Sequence, residues 1–533
     1  MSGRKGVTST KFRLALGVVL VCVLAGVLVI VLHRREPAGT PPAAAPGTAT
    51  GASWVVAENQ KKGSPGWVIP AGHDHGIAGF ADHVAATVGQ QVKLYVSSDA
   101  PSFHVEAYRV GYYQGTGARL VWQSAQVAGR VQPACPVTPG VNMVSCDNWG
   151  PSLTVPVTAD FVQGDYLVKL VGAGGQQSFV PLTVWDPASH GTYLLKNDVF
   201  TWQAWNPYGG YDYYTGQGAC PRNVYPLCSR ARIVSYDRPY GDEQGTGDFL
   251  WLEAPLVRFM EEQGLDVSYT TDTVVAEHPD TLADHRVLLS LGHDECWSLP
   301  ERQAATAAGQ HGLNLAFFGA SAVLRHVRSQ ASPLGADREV VDYRDSKSDP
   351  LNGHGDPREV TGNTWSAPPA NWPESPFVGE SYNGFLNPTV YAGLTVTAAN
   401  SWPFAGTGLH DGSVLPNVIG SDVDSLAPPA GHPADVQILA HSPLPADRAQ
   451  ANTRDGAVFY SDMTYYTDPA SGAGVWDSGT NNWIPALEPS AGETPATAQL
   501  VRTITGNLLR LLGQGPAGRS TPSTGNSEQI YHH

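Results

Sequence analysis

Between residues 91 and 184 apolar and polar positions alternate in short runs: Gln91-Val92-Lys93-Leu94-Tyr95-Val96, Phe103-His104-Val105-Glu106-Ala107-Tyr108-Arg109-Val110, Ser152-Leu153-Thr154-Val155-Pro156-Val157, Asp165-Tyr166-Leu167-Val168-Lys169-Leu170 and Phe179-Val180-Pro181-Leu182-Thr183-Val184. A period of two puts one face of each run on a core and the other in water. Turns of Gly, Pro and Asp separate the runs, so the pattern predicts an all-β sandwich over residues 63–186.

Past Asp186 the rhythm changes. Residues 232–236, 266–270, 286–291, 313–319 and 456–462 read as strands. Leu252, Leu256, Phe259 and Met260 recur at helical spacing before Gly264, an Ala-rich helix is expected over 300–311, and a closing amphipathic helix over 495–512. Strands alternating with helices over short links predict a parallel sheet flanked by helices, here assigned to residues 187–514. Residues 345–445 are rich in Pro and Gly and weakly periodic, the kind of insertion that shapes a pocket. The polar tail, 515–533, is expected to be disordered. No internal repeat is evident.

The amino-terminal segment bears on where the protein works. An uncharged apolar run of 19 residues, 14–32, is long enough to cross a bilayer as a helix. Arg4, Lys5, Lys11 and Arg13 precede it and His33, Arg34 and Arg35 follow, which favours residues 1–13 in the cytoplasm and the folded part outside the cell membrane. An uncleaved anchor is preferred because His-Arg-Arg-Glu follows the core, although Ala43-Ala44-Ala45-Pro46 keeps signal cleavage open. The Pro/Ala-rich stretch, taken as 33–62, reads as a spacer. Cys135 with Cys146 and Cys220 with Cys228 each flank a Pro-bearing loop and are expected as disulfides, in keeping with an oxidising compartment. The formal net charge of −16, with no basic cluster beyond the amino terminus, argues against nucleic acid as a partner.

Candidate chemistry concentrates in Gly292-His293-Asp294-Glu295-Cys296-Trp297-Ser298, directly after the apolar run Val287-Leu288-Leu289-Ser290-Leu291. Open α/β sheets bind ligands outside the carboxyl ends of their strands, and a buried strand cannot hold three ionisable groups there without partners. His293, Asp294 and Glu295 are therefore the candidate catalytic residues. A plainer reading makes this a turn capping the next helix, with Ser298 as N-cap and Glu301 at the capping-box position, which explains Ser298 but not residues 293–295. Cys296 is an odd thiol: a buried core residue, or a nucleophile working with His293.

Glu106-Ala107-Tyr108-Arg109-Val110-Gly111-Tyr112-Tyr113 with Gly117-Ala118-Arg119 resembles the amino-terminal β-sandwich of proteins similar to the large (beta) subunit of N,N-dimethylformamidase. Thr201-Trp202-Gln203-Ala204-Trp205-Asn206, Asp237-Arg238-Pro239-Tyr240, Gly292-His293-Asp294-Glu295 and Asn314-Leu315-Ala316-Phe317-Phe318-Gly319-Ala320 resemble the same family in the same order, over residues 63–512. The expected architecture is then a β-sandwich followed by a parallel-sheet α/β domain, glutamine-amidotransferase-like or flavodoxin-like.

The resemblance implies an amidase with one iron held by two tyrosines and a glutamate. Glu295 matches the glutamate and Tyr240 one tyrosine. The other belongs where this chain has Trp205, whose indole N–H only donates. Tyr208, Tyr211, Tyr213 and Tyr214 are the nearby replacements, with Tyr214 taken as the candidate ligand. The family also usually carries an aromatic residue in place of Cys296. Phenolate and carboxylate suit a hard ferric ion, which would polarise an amide carbonyl while His293 or Asp294 passes a proton to the departing amine. The leading expectation is an anchored hydrolase of a small amide or related C–N bond, with a homo-oligomer or a second subunit as partner. The alternatives are a non-catalytic envelope protein binding a glycan or other ligand, and an enzyme dependent on Cys296.

Overall fold

The alternating runs pair as two sheets. One joins Ile77–Ala81, Gln91–Ser98 and Leu153–Pro156; the other runs Ala85–Ala86, Gln177–Val184, Gly164–Gly172, Ser102–Val110, Ala118–Gln123. Inward residues of both, among them Val92, Leu94, Val105, Val168 and Val180, make one core. The computed structural model describes residues 52–217, 229–387, 389–426, 431–444, 449–451, 459–489 and 494–531. The apolar run at 14–32 and the Cys220/Cys228 pair lie outside these residues. Among the described residues no helix is long and apolar enough to cross a membrane. Cys135 and Cys146 form a disulfide.

The second region is a mixed α/β structure built on a seven-stranded sheet. Its strands are β1 (Tyr193–Asn197), β2 (Val267–Thr271), β3 (Val287–Ser290), β4 (Asn314–Phe317), β5 (Gln437–Pro443), β6 (Tyr460–Thr467) and β7 (Gly474–Asp477). They lie in the order β2-β1-β3-β4-β7-β6-β5. The first five are mutually parallel, β6 runs antiparallel to β7, and β5 runs antiparallel to β6. Strands β1 to β4 are buried at every position, so they do not alternate; β3 reads as a mostly apolar run, while β1 and β2 bury polar residues such as Lys196, Asn197, Ser268 and Thr270. Helices α1 (Ser53–Asn59), α2 (Val199–Trp205), α3 (Ala254–Glu262), α4 (Asp272–Glu277), α5 (Leu299–Gln310) and α6 (Pro495–Leu512) accompany the sheet.

Three expectations are corrected. The spacer expected over 33–62 is shorter, because α1 lies within that range: Val55 is buried and Asn59 donates to Glu261 on α3. The Pro/Ala composition ends before Ser53, and the apolar Trp54 and Val55 then pack. The tail expected to be disordered instead caps the edge strand β5, where Asn526 donates to and accepts from the Ile438 backbone, and Tyr531 bonds Asp462. Its polar composition reflects that capping role. Residues 345–445 hold more strand than their composition indicated, including Ser381–Leu386, Val414–Gly420 and Asp422–Ser425, because register shifts in their pairing break up the alternation.

The resemblance motif at 106–113 locks the sandwich to the α/β region. Arg109 is fully buried and reaches Glu261 on α3 with both terminal nitrogens, while Tyr269 of β2 donates to the same carboxylate at 2.6 Å. Burial opposes the charge on Arg109, but Glu261 outweighs it and holds the guanidinium firmly protonated.

Candidate active site

Three strand ends converge. After β1 the chain turns into α2, after β3 it enters Gly292-His293-Asp294-Glu295, and after β4 it runs through Gly319 to Leu324. Gly292 has φ +55°, and a Cβ on Gly319 would fall 1.6 Å from the Gly292 carbonyl oxygen, so these two turns touch backbone to backbone. Val323 and Arg325 donate to the carbonyls of Asp294 and Glu295 at 3.0 and 2.8 Å, fixing the segment. Ser298 caps α5 with the full capping box expected of it. Capping and site chemistry occupy neighbouring residues without competing.

The segment is a tight turn rather than a strand: the Glu295 N–H donates to the His293 carbonyl at 2.9 Å, which sends Asp294 to one side and its two neighbours to the other. Glu295 and His293 share one side. Arg325 Nε donates to Glu295 Oε1 at 3.0 Å; Trp205 Nε1 donates to Oε2 at 3.3 Å, and the Tyr214 hydroxyl bonds the same oxygen. Burial opposes ionisation of Glu295, yet Arg325, His293 and Arg344 together hold its carboxyl below the ordinary range. His293 Nε2 is ion-paired with Asp422 Oδ2 at 3.3 Å and lies 3.7 Å from Glu295 Oε2, without the alignment of a hydrogen bond to either. Burial disfavours its charge, but Asp422, Glu295 and Asp248 prevail and raise it to about 10, so it stands as an imidazolium at neutral pH.

Aromatic rings back this pair. Trp205 stacks on Tyr214 with centroids 3.6 Å apart and meets His293 at 5.6 Å. The Arg344 guanidinium sits 4.2 Å over the Tyr214 ring and bonds Asp342, from a residue whose φ is +52°. Burial and the Glu295 charge push the Tyr214 hydroxyl well above its ordinary range, so it is a neutral phenol here.

Asp294 is corrected as a catalytic candidate. It points the other way, 2.7 Å from Lys196 Nζ, and accepts from Ser290 at 2.5 Å. Lys196 also lies 2.5 Å from Asp272 and 2.9 Å from Glu301, all of them fully buried. Asp272, Asp294 and Glu301 have the spacing of a cation site, but the ammonium already stands among them. Tyr240 is not among the side chains bonded to Glu295: it meets Trp202 edge-on and lines a small cavity facing Phe80 and Leu182 of the sandwich. Cys296 is fully buried, and burial followed by the Glu295 charge pushes its thiol well above the ordinary range, which removes it as a nucleophile.

Asp422, Asp248, Arg325 and Arg344 were missed by sequence reasoning. Asp422 and Arg344 lie in and next to the weakly periodic insertion. Arg325 gives a weak signal as a charge just past the carboxyl end of β4.

The donor set does not fit the iron that the resemblance implies. One phenol reaches Glu295; the position expected for the other presents a donor N–H from Trp205, and Tyr240 is engaged elsewhere. Both carboxylate oxygens already accept from Arg325, Trp205 and Tyr214, and the charges of Arg325, Arg344 and His293 around Glu295 oppose a further cation.

Residues 104–496 match the family model described as N,N-dimethylformamidase beta subunit-like, C-terminal. The chain belongs to the N,N-dimethylformamidase beta subunit-like family. Within the matched span of this dimethylformamidase beta-like chain lie Trp205, Tyr214, His293, Glu295, Arg325 and Asp422, so the departures above occur inside the family's own domain. No curated protein matches it. Among solved structures, a cycloisomaltooligosaccharide glucanotransferase of Paenibacillus sp., complexed with cycloisomaltoheptaose, is 11% identical over 22% of this chain and 15% of that one, at a TM-score of 0.14. That likeness carries no argument.

Proposed function

We propose that this dimethylformamidase beta-like protein is a cell-envelope hydrolase of an amide or related C–N bond, and that it works without a metal. Family membership supports the hydrolase class. The observation that carries the site is His293: buried, positively charged, and with an Nε2–H that has no hydrogen-bond partner. An amide carbonyl oxygen accepting that hydrogen bond is polarised, and charge developing on it is stabilised in a low-dielectric setting.

Three carboxylates act on His293. Glu295 is held low and saturated with donors, so it anchors Tyr214, Trp205 and Arg325. Asp422 accepts from Ser321 at 2.5 Å. Asp248 is pushed up to about 6, burial raising it and His293 pulling it back, and so is tuned to exchange a proton near neutrality. In this reading water loses a proton to Asp248 as it bonds to the carbonyl carbon. The C–N bond then breaks and the amine leaves with that proton. A carboxylic acid and an amine result.

The parallel order β2-β1-β3-β4 supports a flavodoxin-like or glutamine-amidotransferase-like domain. The 14–32 run supports a membrane anchor, and the Cys135–Cys146 disulfide an extracytoplasmic location. A family named for a beta subunit supports a second subunit. A second reading, a non-catalytic ligand-binding protein, is favoured by the saturation of Glu295. The deciding experiment incubates the full-length chain in detergent with N-substituted formamides and acetamides and measures amine release, with and without chelator. Release that persists under chelation and disappears in His293→Gln is expected. Absence of release from every amide leaves the binding reading, and release abolished by chelation returns a metal to the site.

A further inference from the structure

Two cavities away from the candidate active site adjoin one another. The first, of about 390 Å³, is lined by Asp82 and His83 of the sandwich, by Trp185 just past the strand Gln177–Val184, by Glu277 and His278 at the end of α4, and by Asp337. The second, of about 430 Å³, is lined by Pro300 at the start of α5, by Arg328 and by Glu359. Thr273, Glu277 and Asp337 line both, so these residues form the neck between them.

The charges around this paired cavity do not balance. Arg338 is buried and already engaged by the Asp237 carboxylate and by the carbonyls of Ala81 and Asp82, at 2.7 and 2.8 Å. Arg328 is engaged by Asp349 at 3.1 Å and by the Glu359 carbonyl at 2.6 Å. His83 pairs with Asp82 at 2.6 Å. Among the described residues the side chains of Glu277, Asp337 and Glu359 are left without an ion pair, and His278, stacked 5.4 Å from Trp185, is the one base facing them that is not paired with an acid. Burial first and the Asp337 charge second raise the Glu277 carboxyl above its ordinary range, His278 opposing them; burial raises Glu359 against Arg328. Positive charge is in short supply here.

The walls between these carboxylates are apolar, with Val84, Val274 and Leu334 in the first cavity and Ala276, Leu299 and Val327 in the second. A bare metal ion would leave those walls uncovered. A sugar brings donors and acceptors in similar number, whereas acceptors are in excess here. An apolar chain with ammonium groups spaced along it matches both features, and an aromatic face such as that of Trp185 attracts a cation as well as a stem. We propose that the paired cavity binds a linear polyamine, with one ammonium at the neck formed by Glu277 and Asp337, another toward Glu359, and one end of the chain against Trp185. The assignment is independent of the hydrolase reading, since none of these residues belongs to the rim around His293 and Glu295.

Calorimetry on the full-length protein in non-ionic detergent, at low ionic strength, compares spermidine, propylamine, glucosamine and calcium chloride. Spermidine is expected to bind saturably and roughly tenfold or more tightly than the other three, because several charges on one chain are met together. Its affinity should fall as salt is added. Glu277→Gln combined with Asp337→Asn is expected to weaken it about tenfold, and Trp185→Ala roughly threefold, the value of one exposed cation–π contact. Asn tolerates the φ of +51° at residue 337 as Asp does, so the double variant should melt near the wild type, and His293→Gln should bind spermidine unchanged. Absence of saturable binding, propylamine or calcium binding as tightly as spermidine, tighter binding of glucosamine, or an affinity indifferent to the Glu277→Gln/Asp337→Asn pair overturns the assignment.

Discussion

Two faces of one three-residue segment behave as different materials. Asp294 points into a sealed cluster in which Lys196 neutralises part of the charge on Asp272, Asp294 and Glu301, each polar group buried and held at 2.5–2.9 Å. His293 and Glu295 point to a rim where Trp205 is 37% exposed and the His293 Nε2 and Arg344 Nη2 donors make no hydrogen bond. Both faces are dense in ionisable groups. The sealed face sets its charges against one another around Lys196, out of reach of solvent, although Asp294 Oδ1 makes no hydrogen bond. The rim leaves two donors over. A concentration of acids and bases therefore marks a candidate site only where it also adjoins the surface, as it does beside Trp205.

The largest expected effect breaks the sealed face. Lys196→Met removes the ammonium and leaves three carboxylates buried together, which costs roughly 3–5 kcal/mol and shows as a large drop in the urea midpoint. Loss below about 1 kcal/mol would mean that the cluster is held mainly by shared protons, in which case Lys196 is not its keystone. Adding Asp294→Asn to that variant is expected to recover part of the loss.

Glu295→Gln probes the rim. The amide keeps the size of the side chain, so packing is preserved, but Arg325 and His293 lose their counter-charge and stability falls by about 1–3 kcal/mol. Metal content stays at background in both proteins. Stoichiometric metal in the wild type that vanishes in this variant would overturn the conclusion that the donor set does not fit an ion.

The two faces also separate by pH. The pKa of His293 is raised from 6.5 to about 10 in the folded protein, so the stability it contributes is fully present below 6.5 and is lost as pH rises through about 10. Melting temperature should fall between those limits in the wild type, and His293→Gln should flatten that part of the profile. An unaltered slope in the variant would show that another group carries it.

The fold was legible where burial is uniform and the site was not. Strands β3 and β4 announce themselves as unbroken apolar runs, and Ser298 with Glu301 announces the start of α5. The division within the segment was not readable: a tight turn closed by the Glu295 N–H on the His293 carbonyl sets Asp294 apart, and no strand alternation foretells it. Asp422 reaches His293 from a strand whose pairing register shifts, and no local pattern links the two. Tyr240 fits by motif and order, yet the chain turns it toward the sandwich, a fact fixed by long-range packing alone.

The smallest expected effect concerns Cys296, next to Glu295 and belonging to neither use of charge. Its backbone N–H donates to Thr201 Oγ1 at 3.0 Å and its thiol is fully buried, raised well above the ordinary range by burial first and by Glu295 second. A thiol in that state is little ionised at neutral pH and out of reach of solvent, so it behaves as a small apolar side chain. Cys296→Ala is expected to cost about 1 kcal/mol for the lost contacts and to leave amine release intact. Iodoacetamide should label this position only after denaturation. Rapid labelling of the native protein, or loss of turnover in Cys296→Ala without loss of stability, would restore the thiol as a working group and move the active face of the segment from the rim to its neighbour.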